Sequence, residues 1–196
     1  MTTLDGLRTA VPAAGWLGEA LERVTGDPAA IGKLFPAVGR RVGRDELVDV
    51  PGWSADEAAR AQLLAALPAD RIAAEMDGLY RYGDAAEKRA VLKALPLLPI
   101  ADEAVPLLRD AIRTNDTRLV AAALGPYARH LDEAAWRQAV LKCVFMGIPL
   151  SNVDKLDERA DAELAIMLGG LVEERRAAGR DMAPDALALL DRLKGL

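Results

Sequence analysis

Histidine and cysteine are all but missing from this chain: His130 and Cys143 are the only ones in 196 residues. A disulfide scaffold needs at least two cysteines, so none can form within the chain. Zinc sites built from imidazole and thiolate need more of both, and no metal site or cofactor is expected. A Ser/His/Asp or Cys/His catalytic system would have to use these single residues. His130, beside Arg129 between two helices, is expected as a solvated or capping side chain. Cys143 shares an apolar helix side with Val140 and Val144, as a buried structural thiol does. Neither GxGxxG nor GxxxxGK[ST] occurs, so the common phosphate cradles are absent from the sequence. A strong basic excess is lacking too. The net charge of −5 argues against a sequence-independent hold on DNA or RNA. No stretch approaches 18 uncharged apolar residues, and the longest apolar run, Ala94 to Ala101, is broken by Pro96 and Pro99. Met1 to Gly18 has Asp5, a single basic residue in Arg8 before Pro12, and no signal-peptide core. A cytoplasmic protein without a transmembrane segment is expected.

What is abundant points one way. Alanine (38) and leucine (30) dominate while aromatics make up only 4%, which favours helix over strand. Disorder is excluded, because 52% of the residues are hydrophobic and the net charge is small. The length fits one all-α domain over residues 1–196, with looser helices and a connection in 1–52 and a paired-helix block in 53–196.

That block is regularly punctuated. Ser54-Ala-Asp-Glu57 and Asp84-Ala-Ala-Glu87 are capping boxes, and Asp70, Asp102, Asp116 and Asp132 stand at further helix starts. After Ser54, one apolar face carries Ala59, Leu63, Ala66 and Leu67, and Pro68 stops it. Leu131 and Trp136 flank Asp132 as a hydrophobic staple. Alternate starts are 30, 32, 32 and 30 residues apart. Such spacing fits an irregular helical-hairpin repeat, a HEAT-like α-solenoid. A right-handed helical bundle of about ten helices fits equally well. Outside the block, a helix is predicted from Ala13 to Thr25, and Phe35 to Gly52 reads as a long connection exposing Arg40, Arg41 and Arg44. Two more helices are predicted near Asp161–Ala178 and Pro184–Leu193.

Few polar groups suggest a site. Arg113-Thr114-Asn115-Asp116 joins two helices and could hold a partner or an anion, or serve only as a capped turn. Lys142, on an otherwise apolar helix, either reaches solvent or points into a groove as a phosphate or carboxylate contact. The carboxylates between Asp154 and Glu163 lack EF-hand spacing and read as a loop and a capped helix. DNA base-excision enzymes built on HEAT-like repeats need a basic concave face, which an acidic chain does not supply.

Several motifs occur in a recognisable order: Val42-Gly-Arg44, Trp53-Ser54, Leu95-Pro-Leu-Leu-Pro99, Arg113-Thr-Asn115 and Pro126-Tyr127. They continue with Trp136-Arg-Gln-Ala-Val-Leu-Lys142, Phe145-Met-Gly-Ile-Pro-Leu150, Leu156-Asp-Glu-Arg159, Glu163-Leu-Ala-Ile-Met-Leu168 and Glu174-Arg-Arg-Ala-Ala-Gly-Arg180. Over about residues 40 to 190 the chain resembles the EboA family. Arg137 departs from the pattern, which leads one to expect Asn there. The resemblance implies a bacterial or algal protein encoded in a small secondary-metabolite gene cluster. Its companions there resemble a UbiA-type prenyltransferase, a dehydroquinate-synthase-like sugar cyclase, a TatD-like hydrolase and a TIM-barrel sugar isomerase. The product it implies is of prenylated-cyclitol type, and no reaction carries over to this chain. The expectation is a non-catalytic helical-repeat accessory protein that binds a partner enzyme (the prenyltransferase or the cyclase) or a small-molecule intermediate. The alternative is a small accessory enzyme acting on a phosphorylated or prenylated cyclitol; a peripheral membrane adaptor is a third reading. Candidate binding residues are Arg113, Asn115, Tyr127, Lys142, Asp157 and Arg159; none is assigned a catalytic role.

Overall fold

The computed structural model describes residues 2–195. The fold is all-α, as the composition requires. The helices are α1 Leu4–Ala10, α2 Gly15–Gly26, α3 Ile31–Leu34, α4 Val38–Arg41, α5 Ala55–Ala65, α6 Ala69–Tyr82 and α7 Ala85–Ala94. They continue with α8 Val105–Arg113, α9 Thr117–Ala123, α10 Glu133–Met146, α11 Leu156–Arg159, α12 Ala162–Ala177 and α13 Pro184–Lys194. Short 3-10 turns link several of them. Among the described residues the only extended pairing is an isolated antiparallel bridge between Glu46 and Ser54.

The local start signals operate as chemistry demands. Asp84, Asp116, Asp132 and Asp161 each accept a main-chain amide of their own first turn, at Glu87, Arg118, Ala135 and Leu164. Each bond satisfies one of the donors a helix start leaves open. At Ser54 the predicted capping box forms, with one further bond. Glu57 reaches back to the Ser54 amide (3.0 Å), and the Ser54 hydroxyl also donates to Asp56 (2.6 Å). α6 starts at Ala69 behind Pro68, and α8 at Val105 after a turn closed by the Asp102 carbonyl. The predicted connection at 35–52 is shorter than expected, because Phe35–Ala37 and Val38–Arg41 continue the helical path with Val38 and Phe35 buried. Only residues 42–53 are irregular, beginning at Gly43, whose φ of +92° suits a residue without Cβ.

The chain forms two compact units, Met1–Leu108 and Arg109–Leu196. The first is organised around α5, which packs against α1, α2, α4, α6 and α7. The sequence pattern gives α5 one apolar face, yet residues 56–64 are buried on every side. Alanines 58, 59 and 61 let neighbouring helices approach closely. The polar residues between them are satisfied by one another and by groups outside the helix. Gln62 donates to the Val11 carbonyl (2.9 Å), and Arg60 donates to the Phe35 carbonyl (3.2 Å) and to Asp56 (2.5 Å). In the second unit α10 packs against α9 and α12, and α12 against α13. Trp136, Ala139, Val140, Cys143 and Val144 form its inner face, with Leu164 and Leu168 of α12 also buried.

Candidate functional site

In the second unit the turn after α8 is built locally. The Thr114 hydroxyl donates to the Ala111 carbonyl (2.8 Å), and Asp116 caps α9 while pairing with Arg118 (2.7 Å). That hydrogen-bonded pairing holds the Asp116 carboxyl below the usual carboxylate range. Lys142 comes to the same turn from α10 and donates to the Thr114 carbonyl at 2.8 Å. Its ammonium therefore ties a helix end, where an unpaired carbonyl favours a cation. Arg113 and Asn115, on either side of Thr114, are exposed.

Arg159, at the end of α11, makes a second tie. Its guanidinium donates to the Ala128 carbonyl (2.8 Å) and the Leu131 carbonyl (3.0 Å), pairs with Glu133 (2.9 Å), and lies 4.6 Å from the Trp136 ring. One side chain thus closes the end of the 3-10 turn Pro126–His130 and covers the indole beneath it. Tyr127 is buried in that turn, its ring 4.7 Å from the His130 ring. His130 accepts from Arg129 (3.2 Å). Trp136 is fully buried, and its indole N–H has no acceptor among the described residues.

Asp157 lies elsewhere in the unit. It pairs with Arg192 of α13 at 2.6 Å and lines an open groove of about 500 Å³. Leu150, Val153, Leu156 and Ala188 supply the apolar part of that lining. Asp185 anchors one wall by accepting from the amides of Leu150 (2.8 Å) and Ala186 (2.9 Å). Lys155, paired with Glu158 at 2.9 Å, holds a left-handed conformation with φ of 53°, unusual for a residue with a side chain.

The six candidates therefore fall into three places. Lys142 joins the Arg113–Asn115 turn, Arg159 joins the turn that carries Tyr127, and Asp157 faces the groove. Arg137, where the family pattern suggests Asn, pairs with the α12 cap Asp161 at 2.5 Å. This bond, with the Leu164 amide, holds the Asp161 carboxyl low. Burial pushes the Cys143 thiol up to about 12, so almost no thiolate exists at neutral pH. Among the described residues, no group of three or more His, Cys, Asp and Glu side chains is placed to hold a metal ion.

A model of the family described as "Metabolite traffic protein EboA" matches residues 44–191, three quarters of the chain. The chain belongs to the EboA family. No curated protein and no solved structure matches it. The matched region contains all six candidates, together with Trp136 and Arg137. In this EboA-family chain the motif residues Trp136, Lys142 and Arg159 make the internal ties described above.

The matched region also contains a polar cluster that sequence reasoning missed. In the first unit, Glu57 sits between Lys93 and Arg89, with Arg89 at 2.6 Å. Lys93 also donates to the Gly52 carbonyl (2.5 Å) and lies 4.4 Å from the Trp53 ring. Its own desolvation lowers the Lys93 pKa, with Glu57 opposing the shift. The capping box made Glu57 visible as a helix-start residue, but nothing local in sequence marks its cationic partners 32 and 36 residues away.

Glu87, buried beside Asp84, has its pKa raised, first by desolvation and then by that neighbouring charge. A raised folded-state value favours the folded chain fully below about pH 4.5, the ordinary value. That contribution is lost as pH rises through the folded value. Glu87→Gln should therefore raise Tm by roughly 1–3 °C at pH 7, an advantage that disappears below about pH 4. Thermal melts of both proteins across pH 3.5–8 check this; an unchanged difference at both ends would show that Glu87 does not titrate differently on folding.

Proposed function

We propose that this protein is a non-catalytic accessory component of a secondary-metabolite pathway, acting in the cytoplasm. It binds a pathway intermediate or a partner enzyme, such as the prenyltransferase or the sugar cyclase. The observation that carries this reading is the use made of its polar side chains. Lys142 and Arg159, the candidates best suited to activate a substrate, are bonded to main-chain carbonyls. A cation held in this way positions a turn and offers little for acid–base or nucleophilic chemistry. The family's description as a metabolite traffic protein supports the same reading. The contact surface comprises the exposed Arg113 and Asn115 and the groove beside Asp157. The groove combines an apolar lining with charged pairs, which suits an amphipathic small molecule. The caps at Ser54, Asp84 and Asp116, spaced 30 and 32 residues apart, support a HEAT-like pairing of helices as the scaffold.

Two variants test it. In Arg113→Ala/Asp157→Ala, Tm should stay within about 2 °C of the parent, while capture of the cluster's purified enzymes or retention of the extracted intermediate is lost. Lys142→Met should lower stability by about 1–2 kcal/mol through the stranded Thr114 carbonyl, with binding retained once the protein is folded. Wild-type binding by the surface variant would overturn the assignment of these residues. Pathway turnover by the purified chain alone would overturn the non-catalytic role.

A further inference from the structure

The charges of the groove beside Asp157 are all matched within the chain itself. Among its lining residues Lys155 pairs with Glu158 at 2.9 Å, and Arg192 with Asp157 at 2.6 Å. The fifth charge, on Asp185, is taken up by the main-chain amides of Leu150 and Ala186 at the start of α13. Each ion pair uses one carboxylate oxygen, Oδ1 of Asp157 and Oε2 of Glu158. The second oxygen of each can still accept from a ligand hydroxyl. Both pairs are built in. Lys155 stands in its left-handed conformation at the head of α11, three residues from Glu158, and Arg192 reaches Asp157 from α13. Between these groups the lining is apolar, through Leu150, Val153, Leu156 and Ala188, and the volume of about 500 Å³ suits a small molecule.

We propose that the groove takes an uncharged amphipathic molecule with a hydroxylated head and rejects a phosphorylated one, an inference that rests on the binding role proposed above. Three carboxylates stand against two cations in the lining. A phosphate could engage Lys155 or Arg192 only by parting it from Glu158 or Asp157. The abandoned carboxylate would then lie beside the incoming negative charge. A cationic ligand would have to displace the same ammonium or guanidinium, which is tethered to the chain and returns at high effective concentration. An uncharged head breaks neither pair. Its hydroxyls donate to the open carboxylate oxygens while its apolar part covers Leu150, Val153, Leu156 and Ala188.

Three probes that share an octyl chain test the proposal: octyl glucoside, octyl phosphate and octyltrimethylammonium. Each is added to the isotopically labelled full chain below its critical micelle concentration and followed by amide NMR shifts. Octyl glucoside should bind with a Kd on the order of 1 mM, almost unchanged between about 50 mM and about 0.5 M salt. Its shifts should centre on the amides of 150–158 and 185–192. The two charged probes should bind at least roughly tenfold more weakly. Asp157→Asn/Glu158→Gln, at two exposed positions, frees both cations. It should tighten octyl phosphate at least roughly tenfold and leave octyl glucoside within about threefold. Ala188→Trp, also at an exposed position, fills the groove and should weaken octyl glucoside at least roughly tenfold with an unchanged circular dichroism spectrum. Equal or tighter binding of either charged probe by the wild type would overturn the ligand class and leave the binding role standing. Binding of none of the three, with capture of the cluster's enzymes intact, would overturn the groove as a small-molecule site. So would octyl glucoside binding that Ala188→Trp leaves unchanged.

Discussion

Arg60→Leu should destabilise the protein by about 3–5 kcal/mol, the usual penalty for stranding one member of a buried ion pair. Arg60 is 1% exposed and its partner Asp56 4%. Once the guanidinium is gone, the Asp56 carboxylate keeps only the Ser54 hydroxyl as a donor, and the Phe35 carbonyl loses its bond at 3.2 Å. The stacking of Arg60 on the Phe35 ring, 5.4 Å away, is lost as well. For a chain of this length the drop in Tm should be roughly 6–20 °C. Urea unfolding should show a lower midpoint at an unchanged slope. The double variant Asp56→Leu/Arg60→Met should recover much of the loss, because removing both charges leaves none buried and uncompensated. If the double variant is no better than Arg60→Leu alone, the cost lies in packing and the electrostatic account of α5 is wrong.

The second large effect is expected at Trp136. Its indole is fully buried under the Arg159 guanidinium. Trp136→Ala should cost about 3–5 kcal/mol through lost burial and the cavity left behind. Trp136→Phe is the informative control. It keeps an aromatic face for Arg159 and removes the N–H that has no acceptor among the described residues. A buried donor without a partner carries a penalty of about 1–3 kcal/mol, so its removal should offset much of the lost ring area. The net cost of Trp136→Phe should be below about 1.5 kcal/mol in chemical denaturation. A loss equal to that of the alanine variant would mean that the N–H is satisfied in solution, by water for example.

Helix boundaries were legible because caps are local. Asp84, Asp116, Asp132 and Asp161 each satisfy an amide two or three residues ahead, a relation a sequence displays directly. The composition of Ala and Leu was legible as helix for the same reason, since propensity belongs to each residue separately. Two relations were not. The burial of α5 on all sides depends on α1, α2, α4, α6 and α7, none of which its own sequence reveals. The extension of helical structure through Phe35–Arg41 depends on burying Phe35 and Val38, which outweighs weak local signals across Pro36 and Gly39. The candidate site followed the same division. Family motifs drew attention to Tyr127, Lys142 and Arg159, but whether a cation faces a ligand or a carbonyl is decided by what packs opposite it.

By itself, then, the sequence determined an all-α chain, the helix starts capped by Asp84, Asp116, Asp132 and Asp161, the shortage of catalytic histidine and cysteine, and membership of the EboA family. Only the tertiary structure decided where the inward-facing charges go: Arg60 into the core, Lys142 and Arg159 onto main-chain carbonyls. The physical reason is that capping and propensity act over one helical turn. The partner of a charged side chain can instead lie tens of residues away, as Lys93 lies 36 residues from Glu57 and Arg159 31 from Ala128. Desolvation then fixes whether that charge must be paired.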